Sequence, residues 1–202
     1  MSSIALTFDD GPSRWTSPIL DLLAAHDAHA TFFLIGSVVE EQSEIVKRIV
    51  DEGHEVGNHT WSHPRLAAEC DQERVLDELR RANDAIAAVA HATPRRFRAP
   101  FYDVDDRVER LAGTLGLVHT PRDVVPPDWH PGARSAVVAT LVLQQVKPGS
   151  IVGLHDGYPP REGQGGALTR EVTVAAVATF LPRLVENGYE CVTASSLLDR
   201  RI

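Results

Sequence analysis

The chain has 202 residues and a formal net charge of −8, and its 43% hydrophobic and 24% charged residues are typical of a globular protein with one sizeable core. The negative charge argues against nucleic acid or an anionic membrane surface as a partner, because phosphate binding is dominated by Lys and Arg. No apolar run approaches the length that spans a bilayer. The two cysteines, Cys70 and Cys191, define neither a disulfide framework nor a zinc ribbon.

The N-terminal stretch MSSIALTFDDG has no basic segment followed by an apolar segment, so no secretory signal is visible. A chain trimmed to its domain would look the same, and a cytoplasmic location is the expectation drawn from this stretch alone. The sequence leaves the oligomeric state open. We find no internal repeat, low-complexity tract or linker, and we expect a single domain over residues 1–202.

Short apolar runs alternate with longer helical patterns from end to end. The run IALTF predicts a first strand, and SPILDLLAAH predicts a helix with Ser17 as its N-cap. Further strands are predicted at ATFFLIG, HEVGNH, GSIVGLHD and YECVTA, while RRFRAP and GLVHTP flank the helical DRVERLAGTL. The other predicted helices are SEIVKRIVDEG, residues 71–90, SAVVATLVLQQV and REVTVAAVATFLPRLVENG, the last with a kink or break at Pro182. YPPREGQGGAL (Tyr158–Leu168) is the most loop-like segment.

Alternating strands and helices predict a parallel sheet with helices packed outside it. Six or seven such units in this length favour an α/β fold of the small, distorted or incomplete (β/α) barrel type, with a doubly wound open sheet as the alternative. Barrel chemistry lies at the C-terminal ends of the strands. The polar clusters follow strand patterns directly, at Asp9–Asp10, Asn58–His59, Arg98 and His155–Asp156. A functional site is therefore predicted at that end.

The stretch HTWSH places His59 and His63 four residues apart, where both can reach one metal ion. Taken alone, this spacing fits a pair of surface or capping histidines equally well. Catalytic zinc usually takes three protein ligands, so a further ligand is needed, and an aspartate at another strand end is chemically suitable. The residues between the histidines supply no base. The adjacent Asp9 and Asp10 meet both needs if one binds the metal and the other accepts a proton, although they could also merely cap the first helix.

Five motifs, TFDDG, HTWSH, RAPF, DW and LHD, occur in the order of the polysaccharide deacetylase family (carbohydrate esterase family 4, with the NodB-homology domain). The chain resembles this family from Ile4 to about Leu197, with long matches at TFDDGP and GHEVGNHTWSHP. The resemblance implies a metal-dependent hydrolase that removes N-acetyl groups from an amino-sugar saccharide such as a chitooligosaccharide or peptidoglycan, with O-acetyl groups as a further substrate. The implied cofactor is one divalent metal ion, zinc first, with cobalt or nickel also suited to the ligands.

The resemblance also implies roles for individual residues. Asp10, His59 and His63 would hold the metal, and Asp9 would be the general base. Arg98 would orient that base through a charge-assisted hydrogen bond.

The acid side of the site follows from the same resemblance. His155 would protonate the leaving amine as general acid, and Asp128 would hold its ring and raise its pKa. Trp129 would form a wall of the substrate pocket. The backbone N–H of Phe101 would bind the oxyanion.

Four positions depart from the family pattern, one of which is Val125, where the pattern often carries a further aspartate. Phe101 stands where the family usually has tyrosine, and Tyr102 stands where glycine is common, so the local turn could differ. Gly153 stands where the family commonly has the leucine that lines the acetyl-methyl pocket. We interpret this exchange of leucine for glycine as making the acyl pocket roomier.

Three alternatives to a carbohydrate deacetylase remain open. A related amide or ureide hydrolase tends to lose metal-site residues, whereas this chain keeps all three. A glycosidase needs two carboxylates on opposite sides of the sugar, about 5 Å or more apart. A non-catalytic saccharide-binding module would be expected to have lost a ligand, the base or the acid.

Overall fold

The computed structural model describes residues 2–159 and 169–199, and seven strands in these ranges form one parallel sheet. The loop predicted at Tyr158–Leu168 lies outside the described residues except for its first two positions. The strands are β1 (Ser2–Gly11), β2 (Ala30–Leu34), β3 (Glu55–Asn58), β4 (Arg96–Phe97), β5 (Val118–His119), β6 (Ile151–His155) and β7 (Tyr189–Val192).

Helices connect the strands, as parallel neighbours require. They are α1 (Thr16–Ala24), α2 (Gly36–Val39), α3 (Ser43–Asp51), α4 (Leu66–Glu69), α5 (Gln72–Ala90), α6 (Asp106–Thr114), α7 (Ser135–Gln145), α8 (Glu171–Glu186) and α9 (Ala194–Asp199), with a 3₁₀ turn at Pro100–Tyr102. The short helices α2, α4 and α9 have too few turns to give a periodic signal and were not predicted. The break considered at Pro182 is absent, since α8 runs through that residue. Among the described residues, no helix has the length and apolar character needed to cross a membrane.

The strand order is β5-β4-β3-β2-β1-β6, and β7 pairs with the N-terminal half of β1. The gap between β5 and β6 is closed by the segment after β5. Val124 forms a parallel bridge to Val152 of β6, and its carbonyl accepts a hydrogen bond of 2.9 Å from the N–H of Gly153. The sheet is therefore a distorted barrel, and the predicted fold class is confirmed.

The central strands are buried on both faces, which explains their continuous apolar runs. All five residues of β2 are buried, as are those of β1 from Ile4 to Gly11. The rings of Phe8 and Phe32 stack with centroids 5.1 Å apart between these strands. A rigid core thus underlies the C-terminal strand ends, where the predicted site residues lie.

Candidate active site

A cavity of about 510 Å³ opens at the C-terminal ends of the strands. Of the eleven predicted site residues, two lie buried behind the cavity wall, Arg98 and Asp128. Gly153 is buried and does not line the cavity. The other eight line it, namely Asp9, Asp10, His59, His63, Phe101, Tyr102, Trp129 and His155.

A bulge at the end of β1 separates the two adjacent carboxylates. The register against β2 shifts between Asp9 and Gly11, and Asp10 has a left-handed φ of 72°. A bulge of this kind redirects a side chain that would otherwise follow strand alternation. Asp9 therefore points to Arg98, which directly follows β4, and Asp10 points to His59 and His63.

The HTWSH segment is a turn, held by two hydrogen bonds. The N–H of Thr60 donates to Oδ1 of Asn58 at 2.8 Å, and the N–H of His63 donates to Oγ1 of Thr60 at 3.0 Å. In this turn the Nε2 atoms of His59 and His63 each lie 3.1 Å from Oδ1 of Asp10. One ligand atom from each of these three residues lies within 4.8 Å of the others. The structure thus brings the three predicted metal ligands together.

The protonation of His59 shows that this cluster fits a cation. Its Nδ1 lies 2.8 Å from the carbonyl oxygen of Arg98, so Nδ1 carries a proton and donates it to that acceptor. In a neutral ring Nε2 then carries a lone pair that faces Oδ1 of Asp10. Two acceptor atoms at this distance repel each other unless a proton or a metal ion lies between them. Burial alone would raise the pKa of Asp10, but hydrogen bonding with His59 and His63 outweighs it and holds the pKa well below its usual range.

Asp9 is held by a buried arginine. Oδ1 of Asp9 accepts a hydrogen bond of 2.8 Å from Arg98, whose side chain has no exposed surface and also donates to Oγ1 of Thr7 at 2.7 Å. Burial would raise the pKa of Asp9, but Arg98, with His59 and His155, outweighs it and lowers the pKa. The carboxylate is therefore ionised at neutral pH.

His155 and Asp128 form a buried pair. Nδ1 of His155 lies 2.8 Å from Oδ1 of Asp128, and Oδ2 of Asp128 accepts from the His155 N–H at 2.8 Å and from Oγ1 of Thr173 at 2.7 Å. Burial alone would lower the pKa of His155, but the Asp128 carboxylate outweighs it and raises the pKa. The ring is thus fixed in one tautomer, with Nδ1 as the donor to Asp128. Thr173, in the first turn of α8, was not predicted because it belongs to no recognisable motif.

The turn after β4 presents a free backbone donor. Phe101 and Tyr102 have left-handed φ values of 56° and 59°, a region that costs a residue with a side chain about 1–2 kcal/mol. The N–H of Phe101 has no hydrogen-bond acceptor among the residues that the structure describes. Tyr102 therefore adopts the turn that glycine would adopt with less strain, and the donor at Phe101 is retained.

The extra room predicted beside Gly153 is filled. A Cβ atom at Gly153 would lie 2.9 Å from Cδ of Arg122, closer than van der Waals contact. The Arg122 guanidinium lines the cavity, with Nη1 3.8 Å from Oδ2 of Asp9. Instead of a wider apolar pocket, the missing side chain makes room for a charged one. Arg122 was not predicted, because it belongs to the bridging segment that pairs with β6 outside any regular strand.

The ends of β1 and β6 pack together without room for side chains. A Cβ atom at Gly157 would lie 2.0 Å from the carbonyl oxygen of Asp10, and one at Gly11 would lie 2.5 Å from Oδ2 of Asp156. Burial raises the pKa of Asp156 to about 7, because the hydrogen bond from Thr16 offsets only part of that effect. The two glycines thus allow the turn at Asp10 to pack directly against the end of the strand that carries His155.

A family model and a curated relative both match this chain. A family model described as polysaccharide deacetylase matches residues 1–119. A chitooligosaccharide deacetylase of Bradyrhizobium sp. (strain ANU 289) is 42% identical over 194 residues, covering 93% of this chain and 87% of that protein.

Two solved structures agree over nearly the whole chain. The peptidoglycan deacetylase PdaC from Bacillus subtilis has a TM-score of 0.85 and 32% identity, covering 98% of this chain and 90% of that one. A family 4 acetyl xylan esterase from Clostridium thermocellum, in complex with a cobalt ion, has a TM-score of 0.85 and 30% identity, with the same coverage of 98% and 90%. The chain belongs to the polysaccharide deacetylase family, carbohydrate esterase family 4. The family predicted from the five motifs is confirmed, and the chain is a hydrolytic carbohydrate deacetylase of this family.

Proposed function

We propose that this protein is a divalent-metal-dependent deacetylase that hydrolyses N-acetyl groups of an amino-sugar oligosaccharide such as a chitooligosaccharide, releasing acetate. One observation carries the proposal. The cluster of Asp10, His59 and His63 shares a cavity with a separate ionised carboxylate, Asp9, and with the buried pair formed by His155. The relative named as a chitooligosaccharide deacetylase supports this substrate class, and the family 4 acetyl xylan esterase supports O-acetyl groups as a second one.

Asp10, His59 and His63 would hold the metal ion through one oxygen and two nitrogen atoms. When bound, such an ion supplies Lewis-acid polarisation of the acyl carbonyl and lowers the pKa of water. A mixed oxygen and nitrogen ligand set suits zinc, cobalt and nickel. Zinc is the ion we propose, and the cobalt complex of the acetyl xylan esterase makes cobalt the first ion to compare with it.

Asp9 would accept the proton of the attacking water. Its Oδ1 is occupied by Arg98 at 2.8 Å, whereas its Oδ2 makes no hydrogen bond to the described residues. Oδ2 is therefore the atom that takes the proton. The lowered pKa keeps Asp9 ionised, as a base must be before the reaction.

His155 would donate a proton to the departing amine. Its raised pKa favours the protonated ring, and the Asp128 carboxylate stabilises that charge. The free N–H of Phe101 would stabilise the oxyanion of the tetrahedral intermediate. Base and acid thus come from different strands, β1 and β6, whose ends meet at the cavity.

Metal analysis combined with acetate release from a panel of N-acetylglucosamine oligomers tests the function. We expect the Asp9→Asn variant to keep its metal and to lose turnover by about 10²- to 10⁴-fold, the usual contribution of a general base. We expect Asp10→Asn to lose metal affinity, because a neutral amide replaces the anionic ligand. Equal metal content and equal turnover in the two variants would refute this division of roles. Saccharide binding without acetate release by the metal-loaded wild type would indicate a binding module instead.

A further inference from the structure

Three arginines of the described part of the chain line the active-site cavity, and we call them the guanidinium rim: Arg65, Arg122 and Arg170. Within the described ranges, the carboxylates that face them across the cavity are Asp9 and Asp10. This is a local excess of positive charge in a chain whose formal net charge is −8. A positive cavity raises the local concentration of anions.

Both cavity carboxylates already have partners. Asp9 pairs with Arg98 at 2.8 Å behind the cavity wall. Asp10 lies 3.1 Å from each of two imidazole nitrogens and 3.6 Å from Arg170. Neither carboxylate is therefore free to neutralise the rest of the rim.

Arg122 is the member of the rim that combines partial burial with unused hydrogen-bond donors. Its side chain is only 18% exposed, yet it makes no hydrogen bond to any residue in the described part of the chain. Its closest carboxylate oxygen, Oδ2 of Asp9, is 3.8 Å away, and the Tyr102 ring lies under it at 5.0 Å. A guanidinium has five N–H donors in a planar fork that matches a carboxylate, sulfate or phosphate group. A mostly buried guanidinium without an acceptor is costly unless a ligand supplies one.

The other two arginines are ordered by aromatic rings rather than by close contacts with carboxylates. Arg65 stacks on the Phe101 ring at 4.1 Å and has no carboxylate partner among the described residues. Arg170 donates to the carbonyl oxygen of Gly157 at 2.7 Å and stacks on Tyr158 at 3.9 Å. Stacking on aromatic rings orders both side chains, which reduces the entropy that binding an anion would cost.

We propose that the substrate of this cavity is an N-acylated saccharide that carries an anionic group, and that the Arg122 guanidinium binds that group. This proposal rests on the proposed deacetylase function and narrows its substrate class. Gly153 contributes to the same binding position, because only a residue without a side chain leaves room for the aliphatic part of the Arg122 side chain. Arg65 and Arg170 add positive potential around the binding position.

A different role for Arg122 would be to position Asp9, and the two roles differ in what they change. A positioning role would act on turnover and would affect neutral and anionic substrates alike. A binding role would act on KM and on anionic substrates alone. The ratio of kcat/KM for an anionic substrate to that for its neutral parent therefore separates the roles.

The experiment compares a chitotriose with derivatives that carry one carboxymethyl or one sulfate group at O3 or O6, using the metal-loaded enzyme. For the wild type we expect at least one anionic derivative to have a kcat/KM about 10- to 100-fold above that of the neutral trimer, through KM, as one charge-assisted contact supplies. The carboxymethyl and sulfate arms identify which anion is preferred. Raising the salt concentration should reduce the preference, because screening weakens the contact.

In the Arg122→Gln variant we expect the ratio of kcat/KM for the anionic derivative to that for the neutral trimer to fall to near one, through a rise in KM for the anionic derivative. The matched control is Arg81→Gln, which removes an arginine that stacks on Trp61 at 4.3 Å and does not line the cavity. This control should keep the ratio. Gly153→Ala keeps all charges but places a Cβ atom against Arg122, so it should lower the ratio as well.

A wild type that does not prefer any anionic derivative would overturn the proposal. An equal loss of kcat on both substrates in Arg122→Gln would also overturn it, in favour of a positioning role. Calorimetric titration with the deacetylated anionic trimers gives a readout that needs no turnover. If those trimers bind and Arg122→Gln weakens the binding while no acetate is ever released, the proposed function fails, whereas the anion-binding role of Arg122 stands. Acetate release without anion preference leaves the proposed function standing and removes the inference.

Discussion

Replacing Arg98 by methionine tests how the fold keeps a carboxylate charged inside the site. The side chain of Arg98 has no exposed surface and that of Asp9 is 3% exposed, so the variant leaves a buried carboxylate without its partner. Loss of one member of a buried ion pair costs about 3–5 kcal/mol. The variant also loses donors to Oγ1 of Thr7 and to two backbone carbonyls after β5. For a chain of this size, the loss corresponds to a fall in Tm of about 6–20 °C.

The pH dependence of the loss identifies its cause. Without Arg98, burial dominates and raises the pKa of Asp9 above its value in the unfolded chain. A raised pKa contributes stability below the unfolded value and loses it as pH rises. The difference in unfolding free energy between wild type and Arg98→Met should therefore be smaller at pH 4 than at pH 7.

The assay is urea unfolding in the presence of a chelator, so that loss of bound metal does not contribute. The double variant Arg98→Met with Asp9→Asn removes the unpaired charge and should recover more than 1 kcal/mol relative to Arg98→Met alone. If Arg98→Met unfolds within about 1 kcal/mol of the wild type at both pH values, the reasoning about the buried pair is wrong.

Two further predictions concern histidines. Asp128→Asn removes the carboxylate that raises the pKa of His155, so the alkaline limb of the kcat profile, where the general acid loses its proton, should move to lower pH; an unmoved limb would exclude His155 as that acid. His54 has a pKa of about 4 because it is buried. Between pH 6.5 and 4 the unfolded chain therefore binds a proton that the native chain does not bind. The free energy of unfolding decreases as the pH is lowered through this range, by up to about 1.4 kcal/mol per pH unit. His54→Gln should flatten this slope in urea unfolding, whereas the exposed His130→Gln should not; equal slopes in all three proteins would contradict the role of His54.

The sequence predicts much of the fold because parallel barrel strands are buried on both faces. Runs such as IALTF and ATFFL are apolar except for one buried threonine in each, Thr7 and Thr31, and the carboxylates Asp9 and Asp10 follow at the end of β1. The end positions of different strands meet at one edge of the sheet, which is why the Asp9–Asp10 pair could be grouped with His59 and His63 from the sequence, whereas the choice of Asp10 as the metal ligand came from the family resemblance. Their separate roles depend on the bulge at Asp10, which the letters DD do not reveal.

The cationic lining could not be predicted, because no motif joins its members. Arg122 reaches the site only because Val124 pairs with Val152 outside a regular strand. Arg65 and Arg170 are more than a hundred positions apart and meet at the cavity through the closure of the barrel. Local patterns report which side chains are buried, whereas this lining depends on how the ends of the sheet are joined.

The segment that closes the barrel is attached to β6 in two regions, at Asp123 and Val124 and again at Asp128. Val124 is bridged to Val152, and Asp128 is hydrogen-bonded to His155, three residues further along the same strand. Lengthening the chain between these two attachments would loosen both the edge of the sheet and the contact between Asp128 and His155. Insertions after Trp129, where His130 and the residues that follow are exposed, leave both attachments in place. Substrate range is therefore best redesigned on the downstream part of this connection, with the segment from Val124 to Asp128 kept at its present length.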